Sequence, residues 1–272
     1  MEQKKIQGNH LIEARSLMPG YGGSPVAWDI SFFADPGEIL GIVGESGSGK
    51  STILKALNGG KDFGVQIFSG EILFKGQDLC SMKPSALQRI RGEQIGMIFQ
   101  DPSSSFNPIR TFEKQIRATF RDHGRKDWEA EKKQILEVFE VMNLKDGEQI
   151  LKSCPYEMSG GMNQRIAIAA ATSLHPDLLL ADEPTSALDV TIQRQIIDEL
   201  LRLRDRYGMT IILVTHHIGV VREMADRVII LNKGRIVESG RVSEVLENPV
   251  QEYTKQLLDA VPVLKGRERS HG

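Results

Sequence analysis

Apolar and polar residues alternate along the first third of the chain, and Gly or Pro interrupts the pattern at short intervals. The alternation predicts half-solvated antiparallel strands over 11–17, 26–33 and 71–75. Residues 38–43 differ, because they are almost wholly apolar and run directly into a glycine-rich segment. That pattern is typical of a central parallel strand that is buried on both faces.

Further along, the spacing of apolar residues becomes helical. Residues 101–154 are rich in Lys, Glu, Gln and Arg, and apolar residues recur at helical intervals over 129–142. We therefore expect a helical subdomain inserted into the sheet domain, with bounds 101–165 when the turn that follows is included. Helix and strand patterns then alternate up to residue 231, which indicates a parallel sheet covered on both faces. Residues 231–235 predict a hairpin turn, and a short helical tail is expected from residue 243.

The chain has 272 residues, with 34 Lys and Arg against 36 Asp and Glu, and so a formal net charge of −2. This balance argues against an extended basic surface, and no nucleic-acid partner is expected. Cys80 and Cys154 fit neither a disulfide nor a metal-ligand spacing, which favours a reducing compartment. The polar residues 1–10 predict no signal peptide, and no apolar run approaches the roughly 20 residues that cross a bilayer. We expect any work at a membrane to go through a partner that crosses it.

Residues 44–51 match the phosphate-loop pattern G-x-x-x-x-G-K-[ST], between a predicted strand and a predicted helix. Its glycines let backbone N–H groups face phosphate oxygens, and the helix N-terminus adds positive partial charge. Lys50 is predicted to reach the β- and γ-phosphates of ATP, and the Ser51 hydroxyl to coordinate Mg²⁺. A chance Gly/Ser loop is the alternative, and the flanking strand and helix argue against it. The predicted nucleotide contacts are Gly44, Glu45, Ser46, Gly47, Ser48, Gly49, Lys50, Ser51 and Thr52.

An apolar run over 178–181 ends in Asp182 and Glu183. Because ligands bind at the carboxyl ends of parallel strands, Asp182 is predicted to join the Mg²⁺ shell and Glu183 to polarise the attacking water. Taken alone, the two would be ordinary acids at a strand end. The predicted fold class is α/β, a P-loop NTPase (RecA-like) parallel sheet core with an N-terminal antiparallel β-subdomain and an inserted α-helical subdomain.

A second turn suited to phosphate lies at Ser159, Gly160 and Gly161, directly before a predicted helix over 162–171. A hydroxyl, free N–H groups and a helix N-terminus would meet there. Since the chain already has its own phosphate loop, this turn is expected to serve the ATP of a neighbouring subunit. A plain helix N-cap is the simpler alternative for these three residues.

With this turn, the chain resembles the nucleotide-binding subunit of ABC transporters over nearly its whole length. Ser159–Gly161 corresponds to the signature motif, normally L-S-G-G-Q, with Met158 and Met162 at its first and last positions. The resemblance implies a single ABC-type ATP-binding domain over 1–264 and a disordered tail over 265–272. The other roles that it implies are Gln100 in contact with Mg²⁺ or water, Asp189 in the loop that crosses the dimer interface, His216 at the γ-phosphate, and Tyr21 stacked on adenine. Taken alone, these would be a surface glutamine, a helix N-cap, a structural histidine and a packed aromatic.

Within that family the chain is similar to the oligopeptide, dipeptide and nickel importers. The similar segments are 45–48, 99–102, 106–108, 161–165 and the tail 248–254 with Val261 and Pro262. The chain departs from that branch at Gln251-Glu252, where His-Pro is usual, and at His217, where an acid is common. No cysteine follows Cys154, so we expect no iron–sulfur cluster.

The resemblance implies an ATP-hydrolysing subunit that powers uptake of a peptide, nickel or a metal chelate through two permease subunits. Two ATP-binding subunits would enclose two ATPs, each held by one phosphate loop and the opposing Ser159–Gly161. The second subunit is an identical copy or a paralogue, and an external substrate-binding protein acts indirectly. The chain would lie peripherally on the cytoplasmic face of the cell membrane, docked through residues 101–154 and Gln100.

Two other kinds of protein compete with this interpretation. One is a soluble ABC ATPase of translation or DNA repair, a mechanical or interaction protein. The soluble translation relatives usually carry two cassettes and a basic linker, whereas this chain has one cassette and a net charge of −2. A GTPase-like switch is disfavoured, because Asn232-Lys233 is followed by no Asp that would read guanine.

Overall fold

A computed structural model describes residues 10–101, 105–186 and 188–260 of the chain. Pro102, Val261, Pro262 and the tail predicted over 265–272 therefore lie outside the described residues, as does most of the polar N-terminus. The strands, in chain order, are β1 (Ile12–Tyr21), β2 (Ser24–Pro25), β3 (Ile30–Ala34), β4 (Ile39–Val43), β5 (Gln66–Phe74), β6 (Gln77–Asp78), β7 (Ile95–Ile98), β8 (Leu178–Asp182), β9 (Thr210–Thr215), β10 (Arg227–Asn232) and β11 (Arg235–Arg241). The α-helices are α1 (Lys50–Leu57), α2 (Pro84–Ile90), α3 (Phe112–Asp122), α4 (Trp128–Val141), α5 (Gly147–Lys152), α6 (Gly160–Thr172), α7 (Val190–Tyr207), α8 (Ile218–Met224), α9 (Val242–Glu247) and α10 (Glu252–Asp259).

The first sheet is antiparallel, as the alternating pattern predicts, in the order β2-β1-β5-β6 with β3 also paired to β1. The strand predicted over 26–33 is wrong in its first half, since β3 begins only at Ile30. Asp29 breaks the strand because its φ of 54° lies in the left-handed region. The Trp28 N–H leaves this sheet and donates to the Gly234 carbonyl at 2.8 Å.

The second sheet has the order β11-β10-β4-β9-β8-β7 and is parallel except for the β10–β11 hairpin. Every residue of β4 is buried, which confirms the central strand predicted from its apolar run. The hairpin turns at Lys233 and Gly234, with φ values of 45° and 75°. Two consecutive left-handed residues are what a tight two-residue hairpin requires.

Helices α3, α4 and α5 lie between β7 and β8 in the chain, where the inserted helical region is predicted. The helix predicted over 129–142 is α4, whose N-terminus is capped by the Asp127 side chain accepting from Ala130 N–H at 3.3 Å. Buried residues of α4, among them Ile135, Val138 and Phe139, join the same apolar core as one face of the parallel sheet. The domain bounds 1–264 and 101–165 stay predictions. Among the residues described, none of the helices combines the length and apolar character needed to cross a membrane.

Candidate active site

The phosphate loop joins the end of β4 to the start of α1. Gly47 and Gly49 have φ values of 79° and 100°, which side-chain-bearing residues rarely adopt. At Gly44, a Cβ would lie 2.1 Å from the Leu231 carbonyl oxygen, so only glycine fits against β10. The Ser48 hydroxyl oxygen is buried and has no hydrogen-bond partner among the described residues. The loop therefore has the backbone freedom and a spare polar group that a phosphate ligand would use.

Lys50 lies across this loop with its ammonium group folded inward. Its Nζ donates to the carbonyl oxygens of Gly44 and Glu45, each at 2.8 Å. Burial lowers the pKa of Lys50, and the neighbouring carboxylates of Glu183, Asp182 and Glu45 oppose that shift. Because the Lys50 ammonium group is held by two neutral carbonyls, it is well placed to exchange them for phosphate oxygens as its hydrogen-bond partners.

Asp182 is the last residue of β8, a strand that is buried along its length. Its Oδ1 accepts a 2.8 Å hydrogen bond from the Ser51 hydroxyl at the start of α1. Burial raises the pKa of Asp182, while the bond from Ser51 acts in the opposite direction. The structure thus brings two of the predicted Mg²⁺ ligands together, and their oxygens suit a hard cation.

Glu183 follows Asp182 and connects the other predicted catalytic residues. Its φ of 47° is left-handed, and its N–H donates to the Val214 carbonyl of β9 at 2.8 Å. One carboxylate oxygen lies 3.0 Å from His216 Nδ1, and the other accepts from Gln100 Nε2 at 3.4 Å. Residues that come from the ends of three strands, β7, β8 and β9, therefore meet at one carboxylate. Their catalytic roles stay predictions.

The Ser159 turn and Asp189 stand apart from this cluster, at the N-termini of α6 and α7. The Ser159 hydroxyl accepts from Met162 N–H at 3.3 Å, and Asp189 Oδ1 accepts from Thr191 and Ile192 N–H at 3.0 Å. Both side chains are helix N-caps, as their simpler interpretations predict. A Cβ at Gly160 would meet nothing within 4 Å, so the turn is open to an incoming group.

Tyr21 lies at the end of β1, where it pairs with Ser24. Further along the chain, Val26 and Ala27 lie beside the phosphate loop, since a Cβ on Gly49 would be 3.5 Å from atoms of both residues. Tyr21 is 37% exposed, which leaves its ring available to a ligand. Adenine stacking by Tyr21 stays a prediction.

The sequence-based predictions gave Gln164 no role, yet it supports the strand end that carries Glu183. Gln164 is only 3% exposed, and its Nε2 donates to the Pro184 carbonyl, next to Glu183, at 2.8 Å. It therefore ties α6 to the segment that carries the proposed base. A polar residue four positions before Ile168, on the buried face of a helix, is the signal that could have revealed it.

The C-terminal helix supplies a second contact that sequence reasoning missed. The Tyr253 hydroxyl accepts a 3.4 Å hydrogen bond from the Glu45 N–H of the phosphate loop. Helix α10 is held in place by Glu238 of β11, which accepts from Val250 N–H at 2.8 Å and from the Thr254 hydroxyl. The tail segment 248–254 thus lies against the phosphate loop.

The chain is similar to several known proteins. The ABC transporter family matches residues 28–186. The oligopeptide transport ATP-binding protein OppD of Bacillus subtilis is 42% identical over 96% of this chain and 74% of that protein. The dipeptide transport ATP-binding protein DppD of Lactococcus lactis is 42% identical over 87% of this chain and 68% of that protein. Among solved structures, a dimeric post-hydrolysis state of the ATP-binding cassette MJ0796 bound to ADP and Pi has a TM-score of 0.74 and 27% identity, over 85% of this chain and 98% of that one.

Proposed function

The chain belongs to the ABC transporter family of ATP-binding proteins, and from that premise we propose that it is the ATP-hydrolysing subunit of a peptide importer. Relatives named for oligopeptide and dipeptide transport support a peptide over nickel or a metal chelate. The observation that carries the proposal is the meeting of Gln100, Glu183 and His216 beside the Ser51–Asp182 bond. That arrangement joins a cation site, a base and a phosphate loop at one sheet edge.

Each of these side chains has a distinct task in phosphoryl transfer, which depends mainly on positioning and charge stabilisation. Lys50 binds the β- and γ-phosphates, and the loop N–H groups hold the remaining phosphate oxygens. Mg²⁺, for which Ser51, Asp182 and Gln100 are the proposed ligands, neutralises phosphate charge when bound. Glu183 accepts the proton of the attacking water, and its contacts with His216 and Gln100 fix the direction of its carboxylate.

The open Ser159 turn supports a site completed by a second ATP-binding subunit, whether a copy or a paralogue. The two subunits would close on ATP and reopen after hydrolysis, and that motion would drive two permease subunits fed by an external binding protein. Ile109 and Tyr156, 77% and 69% exposed, are candidate permease contacts in the helical region. We place the chain on the cytoplasmic face of the membrane through those permeases.

Glu183→Gln tests the proposed chemistry. The amide keeps the shape of the side chain but cannot accept a proton, so we expect ATP binding to persist and hydrolysis to fall by about 10²–10⁴-fold. Glu244→Gln, on α9, is the matched control and should hydrolyse ATP normally. Near-normal turnover of Glu183→Gln would rule out Glu183 as the base.

Membrane fractionation separates the transporter from a soluble ABC ATPase. A transporter subunit should sediment with membranes only when its permease is co-expressed. A chain that stays in the soluble fraction with its permease present would favour the soluble alternative.

A further inference from the structure

A polar cluster, which we define as Arg165, Gln195 and Glu199, lies between α6 and α7. Arg165 donates to Gln195 Oε1 at 2.7 Å and pairs with Glu199 Oε1 at 3.1 Å. Glu199 is 0% exposed, and its Oε1 also accepts from the side chain of Asn143, just beyond α4, at 3.4 Å. The cluster therefore links the helical region to the two helices that begin at the Ser159 turn and at Asp189.

Burying this polar cluster lowers the stability of the fold, because two of its polar atoms lose their hydrogen bonds to water. Glu199 Oε2 and Arg165 Nε are both buried without a hydrogen-bond partner among the described residues. Burial raises the pKa of the Glu199 carboxyl to about 7, although Arg165, Asn143 and Arg202 all act against that shift. Apolar side chains of similar size commonly stabilise a fold as well as such a pair does. Stability alone therefore gives a poor reason for the cluster, and its position suggests another.

The N-termini of α6 and α7 already touch one another. A Cβ at Gly161 would lie 3.3 Å from two side-chain atoms of Ile192, so the first turns of the two helices pack closely. Arg165 lies about one turn further along α6 and makes the second contact to α7. Two contacts on the same pair of helices fix the rotation of α6 as well as its position.

We propose that Arg165, Gln195 and Glu199 are positioning residues that hold the Ser159 turn and Asp189 as one rigid surface against the nucleotide of the second subunit. The inference rests on the proposed function, in which that surface completes the partner's site. The turn and Asp189 must reach one nucleotide together, and small misplacements at such a site are costly. The bonds of the cluster run between α6, α7 and Asn143 and not to the phosphate loop.

The test measures ATP-driven pairing of two subunits in a Glu183→Gln background, because slow hydrolysis there keeps the ATP-bound pair from dissociating. Analytical ultracentrifugation with Mg-ATP gives the dissociation constant of the pair, and a fluorescent ATP analogue gives the affinity of the isolated chain. We expect Arg165→Met to weaken pairing by about tenfold or more, as expected for a lost bond to a charged group. Nucleotide affinity of the isolated chain should not change.

Two variants distinguish positioning from general damage. Glu199→Gln keeps a carbonyl acceptor for Arg165 and should pair within about twofold of the parent. Arg202→Met is the matched control, because Arg202 is half-exposed and 4.0 Å from Glu199, so its removal should change pairing by no more than about twofold. Should Arg165→Met fail to fold, Gln195→Leu at an exposed position removes the 2.7 Å bond and should weaken pairing by about threefold.

Parent-like pairing by a folded Arg165→Met chain, or weakening by Glu199→Gln as large as that of Arg165→Met, would overturn the inference. Equal loss of nucleotide affinity and pairing would also overturn it, since the cluster would then be merely structural. Failure of the proposed function is a separate result, because the Glu183→Gln parent would then pair on ATP addition neither with a copy of itself nor with a paralogous subunit.

Discussion

The two proposed phosphate-binding regions of this chain differ in how complete they are. Around the phosphate loop, Lys50 bonds to the loop and Ser51 bonds to Asp182, while the Glu183 carboxylate contacts Gln100 and His216. Around Ser159 and Asp189, the capping bonds stay within each helix and Gly160 faces open space. We propose that the first region binds a nucleotide unaided, whereas the second offers donors to a ligand that another subunit brings.

Lys50→Met should have the largest effect, because it removes the charge at the centre of the first region. We expect ATP affinity of the isolated chain to fall by about 100-fold, the upper range for bonds to a charged group, and hydrolysis to fall further. Isothermal titration with ATP measures the binding. Lys114→Met, at an exposed position on α3, is the control and should bind like the parent. An unchanged ATP affinity of Lys50→Met would show that the phosphate loop does not bind ATP through Lys50.

Gly160→Asp probes the second region without disturbing the fold. The side chain enters open space, and an acid in the first turn of a helix stabilises it by about 0.5 kcal/mol, so the melting temperature should hold. The same charge would repel the partner's phosphates, and hydrolysis by the pair should drop by about 100-fold while the isolated chain still binds ATP. Gly160→Ala is the control. Weakened ATP binding by isolated Gly160→Asp chains would show that the Ser159 turn acts on the nucleotide of its own chain.

Glu199, in the helix that begins at Asp189, should make the unfolding free energy of the chain depend on pH. Its pKa is about 7 when folded against 4.5 in the unfolded chain, so ionisation favours unfolding. Its stabilising effect is full below pH 4.5 and is lost as the pH rises to about 7. The unfolding free energy of the wild type minus that of Glu199→Gln should therefore fall by about 3 kcal/mol between pH 4.5 and 8. Denaturant titrations at several pH values measure this difference in unfolding free energy. A difference that does not change with pH would show that the pKa of the Glu199 carboxyl is not raised.

Tyr253→Phe should have the smallest effect, since it removes one hydroxyl from the edge of the first region. The Glu45 N–H would lose its 3.4 Å acceptor, and we expect ATP affinity to fall by about twofold to fivefold without a change in the catalytic rate constant. Tyr207→Phe is the matched control, because the buried Tyr207 hydroxyl has no partner among the described residues. Equal ATP affinity in both variants would show that α10 does not support the loop.

Much of the fold was predictable because burial sets the local apolar pattern. The all-buried strand β4 and the helix α4 follow directly from that pattern. Asp29 could not be foreseen, since its left-handed φ depends on contacts made by Trp28 with a hairpin distant in sequence. Local patterns carry no information about such contacts.

The candidate site shows the same division. The order of Lys50, Ser51, Asp182 and Glu183 along strands and helices is enough to predict their grouping. The pairing of Arg165 with Glu199 and of Tyr253 with Glu45 was not predictable, because these partners come from elements that meet only through tertiary packing. Charged or polar residues of this kind are common on helix surfaces, and only the structure shows which are buried.

The central claim is that the Ser159 turn acts on the nucleotide of another subunit. The direct measurement is ATP hydrolysis by a complex of this chain with its second subunit, a tagged copy or a paralogue, whose own phosphate-loop lysine is replaced by Met. Only the phosphate loop of this chain can then work. We expect Gly160→Asp in this chain to leave hydrolysis intact, and the matching substitution in the second subunit to lower it by about 100-fold. Loss of hydrolysis only when Gly160→Asp lies in the same chain as the working phosphate loop would contradict the account.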